Sequence, residues 1–193
     1  HTTMSKPVII RFTDQAIQPA ESAGPDSPPI KRVIGFVKMK DLFPLFDQLD
    51  LEANPRSAKA GSVTSAIRKT LTETPETFRY KSKGILLGCA NYQPLQRNRW
   101  QLTFMDPATE GTLDGGHNEL AIGLHVLEPH MEEARWSQIK FWPEMKSAWR
   151  EHREEIEAYK DEYQTLVPVE LLLPDSNSPE TVDEFLALSL IHI

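Results

Sequence analysis

The stretch that most constrains this chain runs from residue 100 to residue 127. Trp100-Gln101-Leu102-Thr103-Phe104 reads as a strand. Gly111-Thr112-Leu113-Asp114-Gly115-Gly116-His117-Asn118 follows a short loop, and apolar residues from Leu120 to Leu127 then recur as in a helix. A strand, a glycine pair and a helix start in succession present bare backbone N–H groups to a phosphate or another anion. The competing interpretation is a tight turn capped by polar residues. The surrounding chain decides between them.

Strand and helix patterns alternate along the 193 residues, which predicts a mixed α+β domain. Residues 8–12 and 30–40 read as strands, the second flanked by Lys31, Arg32, Lys38 and Lys40. Between them Pro19, Pro25, Pro28 and Pro29 predict a loop over residues 14–30. A short helix carries Leu42, Phe43, Leu45 and Phe46, and Asn54-Pro55-Arg56 makes a turn bearing a cation. Val63, Ala66, Ile67 and Leu71 predict a helix over residues 62–72, with Ser62 as its cap and Pro75 beyond its end. Ile85-Leu86-Leu87, bounded by Gly84 and Gly88, reads as a buried strand, and Pro94 makes residues 91–98 a loop. A helix over 119–127 is limited by Pro129, and a longer acidic helical stretch over 137–163 is broken near Pro143. Residues 166–173 alternate as a strand, and Pro168 inside it predicts an edge or a bulge. The last segment, helical from Glu180, ends on Leu190-Ile191-His192-Ile193, the pattern expected of a piece of a longer protein.

Charge is distributed unevenly. Residues 31–99 hold 13 basic and 6 acidic side chains, and residues 100–193 hold 6 basic and 19 acidic ones. That asymmetry fits a basic surface able to meet phosphates, with acidic helices behind it. It fits equally well helices that carry glutamates on their wet faces. No run approaches the ~18 apolar residues of a membrane helix, so no membrane partner is expected. The single cysteine, Cys89, lies in an apolar run and excludes an internal disulfide. It reads as a buried structural thiol in a reducing compartment, the cytoplasm.

The candidate chemistry gathers around the glycine turn. Gly115 and Gly116 allow close backbone approach, and His117 is able to donate to a phosphate or transfer a proton. Arg56, Lys81 and Lys83 are cations at element ends that supply charge to the same phosphate. A metal site is not predicted. His125 and His130 are five apart across Pro129, which does not set both on one helical face. His117-Asn118-Glu119 matches H-x-E of the zinc deaminases, but their P-C-x-x-C partner is absent. Neither a nucleophile elbow nor a G-x-x-x-x-G-K-[ST] phosphate loop is present.

The order of motifs resembles a known family. Asn54-Pro55-Arg56, a helix, Thr74-Pro75-Glu76-Thr77-Phe78 leading to Lys83-Gly84-Ile85, Asp106-Pro107 and Leu113-Asp114-Gly115-Gly116-His117 succeed one another as in the AIPR proteins of abortive-infection phage resistance. The likeness covers residues 30–128 best. The Asp-Gly-Gly-His core is also similar to motifs of the wider ParB/sulfiredoxin-like group, where the turn binds nucleotide phosphates. Asn118 stands where that group has an arginine, and Ser82-Lys83 replaces an asparagine-rich approach to Gly84.

The resemblance implies a compact ParB/sulfiredoxin-like core over residues 30–128. An N-terminal strand and Pro-rich loop (1–29) precede it, and a helical C-terminal extension (129–193) follows. It implies a phage-defence protein that binds a nucleotide or nucleic acid. Asp114 and His117 are the expected catalytic pair, Asp114 orienting His117. Arg56, Lys83, Gly84, Gly115, Gly116 and Asn118 are the expected phosphate-binding residues. Whether the chain is a nucleotide hydrolase, a nuclease needing a divalent metal, or a non-enzymatic DNA- or partner-binding scaffold using the basic 31–99 face stays open. So does homo-oligomerisation.

Overall fold

A strand threaded by a proline forms the centre of the molecule. The computed structural model describes residues 6–22, 24–25, 27–49, 58–107 and 109–188. The first part of the chain gives β1 (Val8–Arg11), β2 (Asp14–Glu21), β3 (Ile30–Lys38), α1 (Phe43–Gln48), α2 (Ser62–Glu73) and α3 (Phe78–Lys81). Four strands follow, β4 (Ile85–Gly88), β5 (Asn91–Leu95), β6 (Arg99–Thr103) and β7 (Gly111–Asp114). The remainder is α4 (Gly116–Leu127), α5 (Glu133–Trp136), α6 (Trp142–Glu151), α7 (Arg153–Ala158), β8 (Leu166–Pro174) and α8 (Pro179–Ala187). Helices and two sheets thus make the mixed α+β fold expected from the pattern. One sheet has the order β1-β6-β5, the other β2-β3-β8-β4-β7.

Three expectations need correcting. β8 is a central strand, antiparallel to β3 along its whole length and parallel to β4. Pro168 is tolerated there because pairing with β4 begins only at Val169, one residue beyond the proline. Residues 166–174 lie inside the larger sheet, between strands of the 30–128 stretch. Residues 14–21, expected as loop, form the outer strand β2. Its pairing with β3 shifts register between Gln18 and Glu21, around Pro19, as an unpaired edge allows. Residues 91–95 likewise form β5, an edge strand that accommodates Pro94.

The core follows from the two faces of the larger sheet. Val33 and Val37 of β3, Val169 and Leu171 of β8, and Ile85 and Leu87 of β4 point inward and are buried. Leu120, Ile122, Leu124 and Leu127 of α4 are buried as well. Large aromatics close the helical side. Trp149 stands edge-on to Phe43 at 5.2 Å and to Phe46 at 5.3 Å between ring centres. Its indole N–H donates to Asp47 Oδ1 at 2.7 Å, so the polar end of a fully buried ring is satisfied. The buried Lys146 ammonium donates to the Leu49 carbonyl at 3.0 Å.

The opposite face of the sheet stays open. Register places Ala16, Ile34, Glu170, Leu86 and Asp114 in one row across all five strands. Ile34 and Asp114 are exposed, and Glu170 and Leu86 are half-buried. This row leads to the glycine turn.

Gly84, just ahead of β4, has φ +75°. A Cβ there would lie 2.0 Å from the Pro168 carbonyl oxygen. Both the left-handed backbone and the closeness to β8 require glycine. Gly84→Ala is expected to destabilise the fold by about 2 kcal/mol or more. Urea unfolding measures this, and a loss below about 0.5 kcal/mol would contradict the close approach of Gly84 to β8.

Candidate functional site

The turn between β7 and α4 is held by contacts between backbones. Gly115 caps α4 with φ +102°. A Cβ at Gly115 would meet the Gly84 carbonyl oxygen at 2.4 Å, so the helix start sits directly on the chain leading into β4. Asn118 fastens the two. Its amide nitrogen donates to Gly84 O at 2.8 Å, and its carbonyl oxygen accepts from Ser82 Oγ at 3.3 Å. Ser82 Oγ in turn accepts from the Gly84 N–H at 2.9 Å. The loop of Ser82, Lys83 and Gly84 is thereby clipped to the first turn of α4.

The structure brings together Lys83, Gly84, Gly115, Gly116, His117 and Asn118 around this joint. Asn118, expected at the phosphate, has both ends of its amide engaged inside the joint and works as a clasp. Lys83 is exposed between two clipped residues. Arg56 lies outside the described residues. Asp114 and His117 are both exposed, but no hydrogen bond joins them among the described residues. Asp114 Oδ1 instead accepts from the Gly115 N–H at 2.9 Å. Asp114 sits on the open face at the end of β7, whereas His117 leaves from the solvent side of α4, so the expected orientation of one by the other is not made.

What the turn offers an anion is the start of α4. The first N–H bonded along the helix is that of Glu119, to Gly115 O at 3.0 Å. The N–H groups of Gly116, His117 and Asn118 have no acceptor within the helix, and no side chain caps them. A twelve-residue helix adds a partial positive charge at this end.

Two buried carboxyl groups lie behind the turn. Glu110 accepts from the N–H groups of Ala90 at 2.8 Å, Met105 at 2.9 Å and Asp106 at 3.0 Å, which ties the loop before β7 to the end of β4. Glu119 is 0% exposed. The Thr112 hydroxyl faces it from β7, but neither carboxyl oxygen has a well-aligned hydrogen-bond partner among the described residues. Burial pushes its pKa up to about 8, with Thr112 opposing weakly. Glu119 is therefore neutral at pH 7, one helical turn below the glycines. A lone acid in the run Leu120-Ala121-Ile122-Gly123-Leu124 was the signal for it in the sequence.

The remaining candidates are structural. Cys89 is buried, its thiol donating to Asn91 O at 3.2 Å, and burial raises its pKa far above the ordinary thiol range. His125 packs edge-on against Tyr163 at 6.1 Å, and burial lowers its pKa. No group of three or more His, Cys, Asp or Glu able to hold a metal occurs among the described residues. No helix among them is long and apolar enough to cross a membrane.

No protein-family model matches this chain, and neither a curated protein nor a solved structure shows significant similarity to it.

Glu119 gives a pH dependence whose sign is fixed. The unfolded chain releases this proton near 4.5 and the folded chain near 8. Between those values the folded state holds a proton that the unfolded state has lost. The contribution to stability is thus full below about pH 4.5, falls as pH rises towards 8, and is gone above it. Denaturant unfolding of wild type and Glu119→Gln is expected to diverge in favour of the variant, by roughly 1.4 kcal/mol per pH unit at the steepest. A difference that does not change with pH would show that Glu119 does not titrate in this range.

Proposed function

We propose that the turn Gly115–Asn118, with Lys83 beside it, binds the phosphate of a nucleotide or nucleic acid. The observation that supports this most is the joint itself. Three uncapped N–H groups at the start of α4 lie next to a loop that Asn118 holds in place, and that loop carries an exposed lysine. Backbone amides supply the geometry and Lys83 the charge. His117, exposed on the first turn, is placed to add a donor. The exposed Asp114 carboxylate stands nearby and opposes a second negative charge, so Lys83 carries most of the electrostatic balance.

The succession of motifs shared with the AIPR proteins extends this reading to phage defence. Use of the broad basic face is favoured less. Arg32 is paired with Glu170, Lys40 with Asp161 and Arg68 with Glu128, and Lys31 donates to the Tyr92 hydroxyl at 3.3 Å. Cations engaged within the fold contribute little to a phosphate backbone.

Calorimetric titration with nucleoside triphosphates and short DNA separates the readings. Lys83→Ala is expected to weaken nucleotide binding about tenfold and His117→Ala by a smaller factor. Equal binding by wild type and both variants would remove the turn from the site. A scaffold binding the DNA backbone would instead lose affinity steeply with salt, with a slope near 0.9 per phosphate contacted. A nuclease would show divalent-metal-dependent cleavage that Asp114→Ala abolishes.

A further inference from the structure

The loop clipped by Asn118 also borders a groove on the open face of the larger sheet, of about 410 Å³. Its floor is apolar, formed by Ile34 and Phe36 of β3, Leu86 of β4 and Pro168 of β8, and Ser82 and Lys83 form the side next to the glycine turn. Arg79, in α3, lines the same groove. Its guanidinium carbon lies 4.4 Å from the centre of the Phe36 ring and 4.9 Å from that of Tyr80. Both are cation–π distances. Tyr80 is 75% exposed, so its ring is open to a ligand.

Arg79 is under-satisfied. Its Nε is buried, and among the described residues it has no hydrogen-bond partner and no carboxylate pairs with it or with Lys83. Two acids line the groove: Glu170 is held by Arg32 from the neighbouring strand, and Asp14 is exposed at the β2 side. A guanidinium within cation–π distance of two rings, over an apolar floor and with no carboxylate paired to it among the described residues, suits a planar, polar-edged and anionic ligand. Heterocyclic bases stack on aromatic rings and guanidinium planes and accept hydrogen bonds at their edges. The volume is that of a small-molecule site and suits a single nucleotide.

Resting on the phosphate reading of the turn, we propose that this groove receives the base of a free nucleotide whose phosphate sits at Gly115–Asn118 and Lys83. The sheet face and the helix start are then two halves of one site, joined at Ser82-Lys83-Gly84. Phosphate alone occupies one half and a nucleoside alone the other.

The test uses the full chain and calorimetric titration with ribose 5-phosphate, the four ribonucleosides, their 5′-monophosphates, and a 5′-phosphorylated oligonucleotide as single strand and as duplex. At least one monophosphate is expected to bind about tenfold more tightly than ribose 5-phosphate, the added contribution of a stacked base. Tyr80→Ala and Arg79→Ala should each remove most of that excess and leave ribose 5-phosphate binding unchanged. Lys83→Ala should weaken both ligands. Tyr80 is exposed enough that its replacement leaves the fold intact, which thermal unfolding of the variant checks. If ribose 5-phosphate binds and no base improves on it, the groove assignment fails and the phosphate turn stands. If unphosphorylated nucleosides bind as tightly as nucleotides, the phosphate turn fails. Tighter binding of the strand or the duplex than of every mononucleotide overturns the assignment to a free nucleotide, and absence of binding by all ligands overturns both readings.

Discussion

The contact on which this structure depends is one backbone against another, at Gly84 and Gly115. Two glycines with positive φ meet there, and added side-chain carbons would lie 2.0 Å from the Pro168 carbonyl and 2.4 Å from the Gly84 carbonyl. Three parts of the chain distant in sequence are brought to the same place: the loop before β4, the start of α4 and the beginning of β8. Without the close approach Asn118 does not reach Gly84 and Lys83 is not held. Glycine is required here for steric reasons before any question of ligand arises. The same absence of side chains leaves the N–H groups bare.

Around that contact the polar groups are handled in two ways. Glu110 has three backbone N–H groups donating to its carboxyl group. Glu119 has only the Thr112 hydroxyl facing it, so the lower-energy state in the fold is the protonated one. Burying an ionised carboxylate without partners would cost more than protonating it. A neutral Glu119 also leaves the positive end of α4 uncompensated from below, which favours an anion from outside.

Much of the fold was legible because its core strands and helices carry clear periods. Val33 and Val37, or Ile85 and Leu87, announce buried faces, and Leu120 to Leu127 announces a buried helix. Prolines misled the reading at β2, β5 and β8. A proline tells of a missing N–H but not of whether the neighbouring position needed one, and that depends on which strand lies alongside. The placement of β8 between β3 and β4 is a long-range pairing that no local pattern encodes. At the site the glycine turn was legible from composition alone. The clasp by Asn118 was not, since its partners are Gly84 and Ser82, 34 and 36 residues earlier. Arg79 was invisible for the same reason, its ring partner Phe36 belonging to a different strand.

Charge counted along the chain proved a poorer guide than charge counted in space. The excess of cations over residues 31–99 implies a basic face, but Arg32, Lys40 and Arg68 are each matched by an acid from residues 128–170. For these three cations the acidic half of the sequence supplies the partner. At the groove and the turn the cations are Arg79, beside two rings, and Lys83, in a clipped loop, with no acid paired with either among the described residues. Two cations fixed beside an uncapped helix start define a more selective site than thirteen spread over a surface, because each is pre-positioned and loses little freedom on binding.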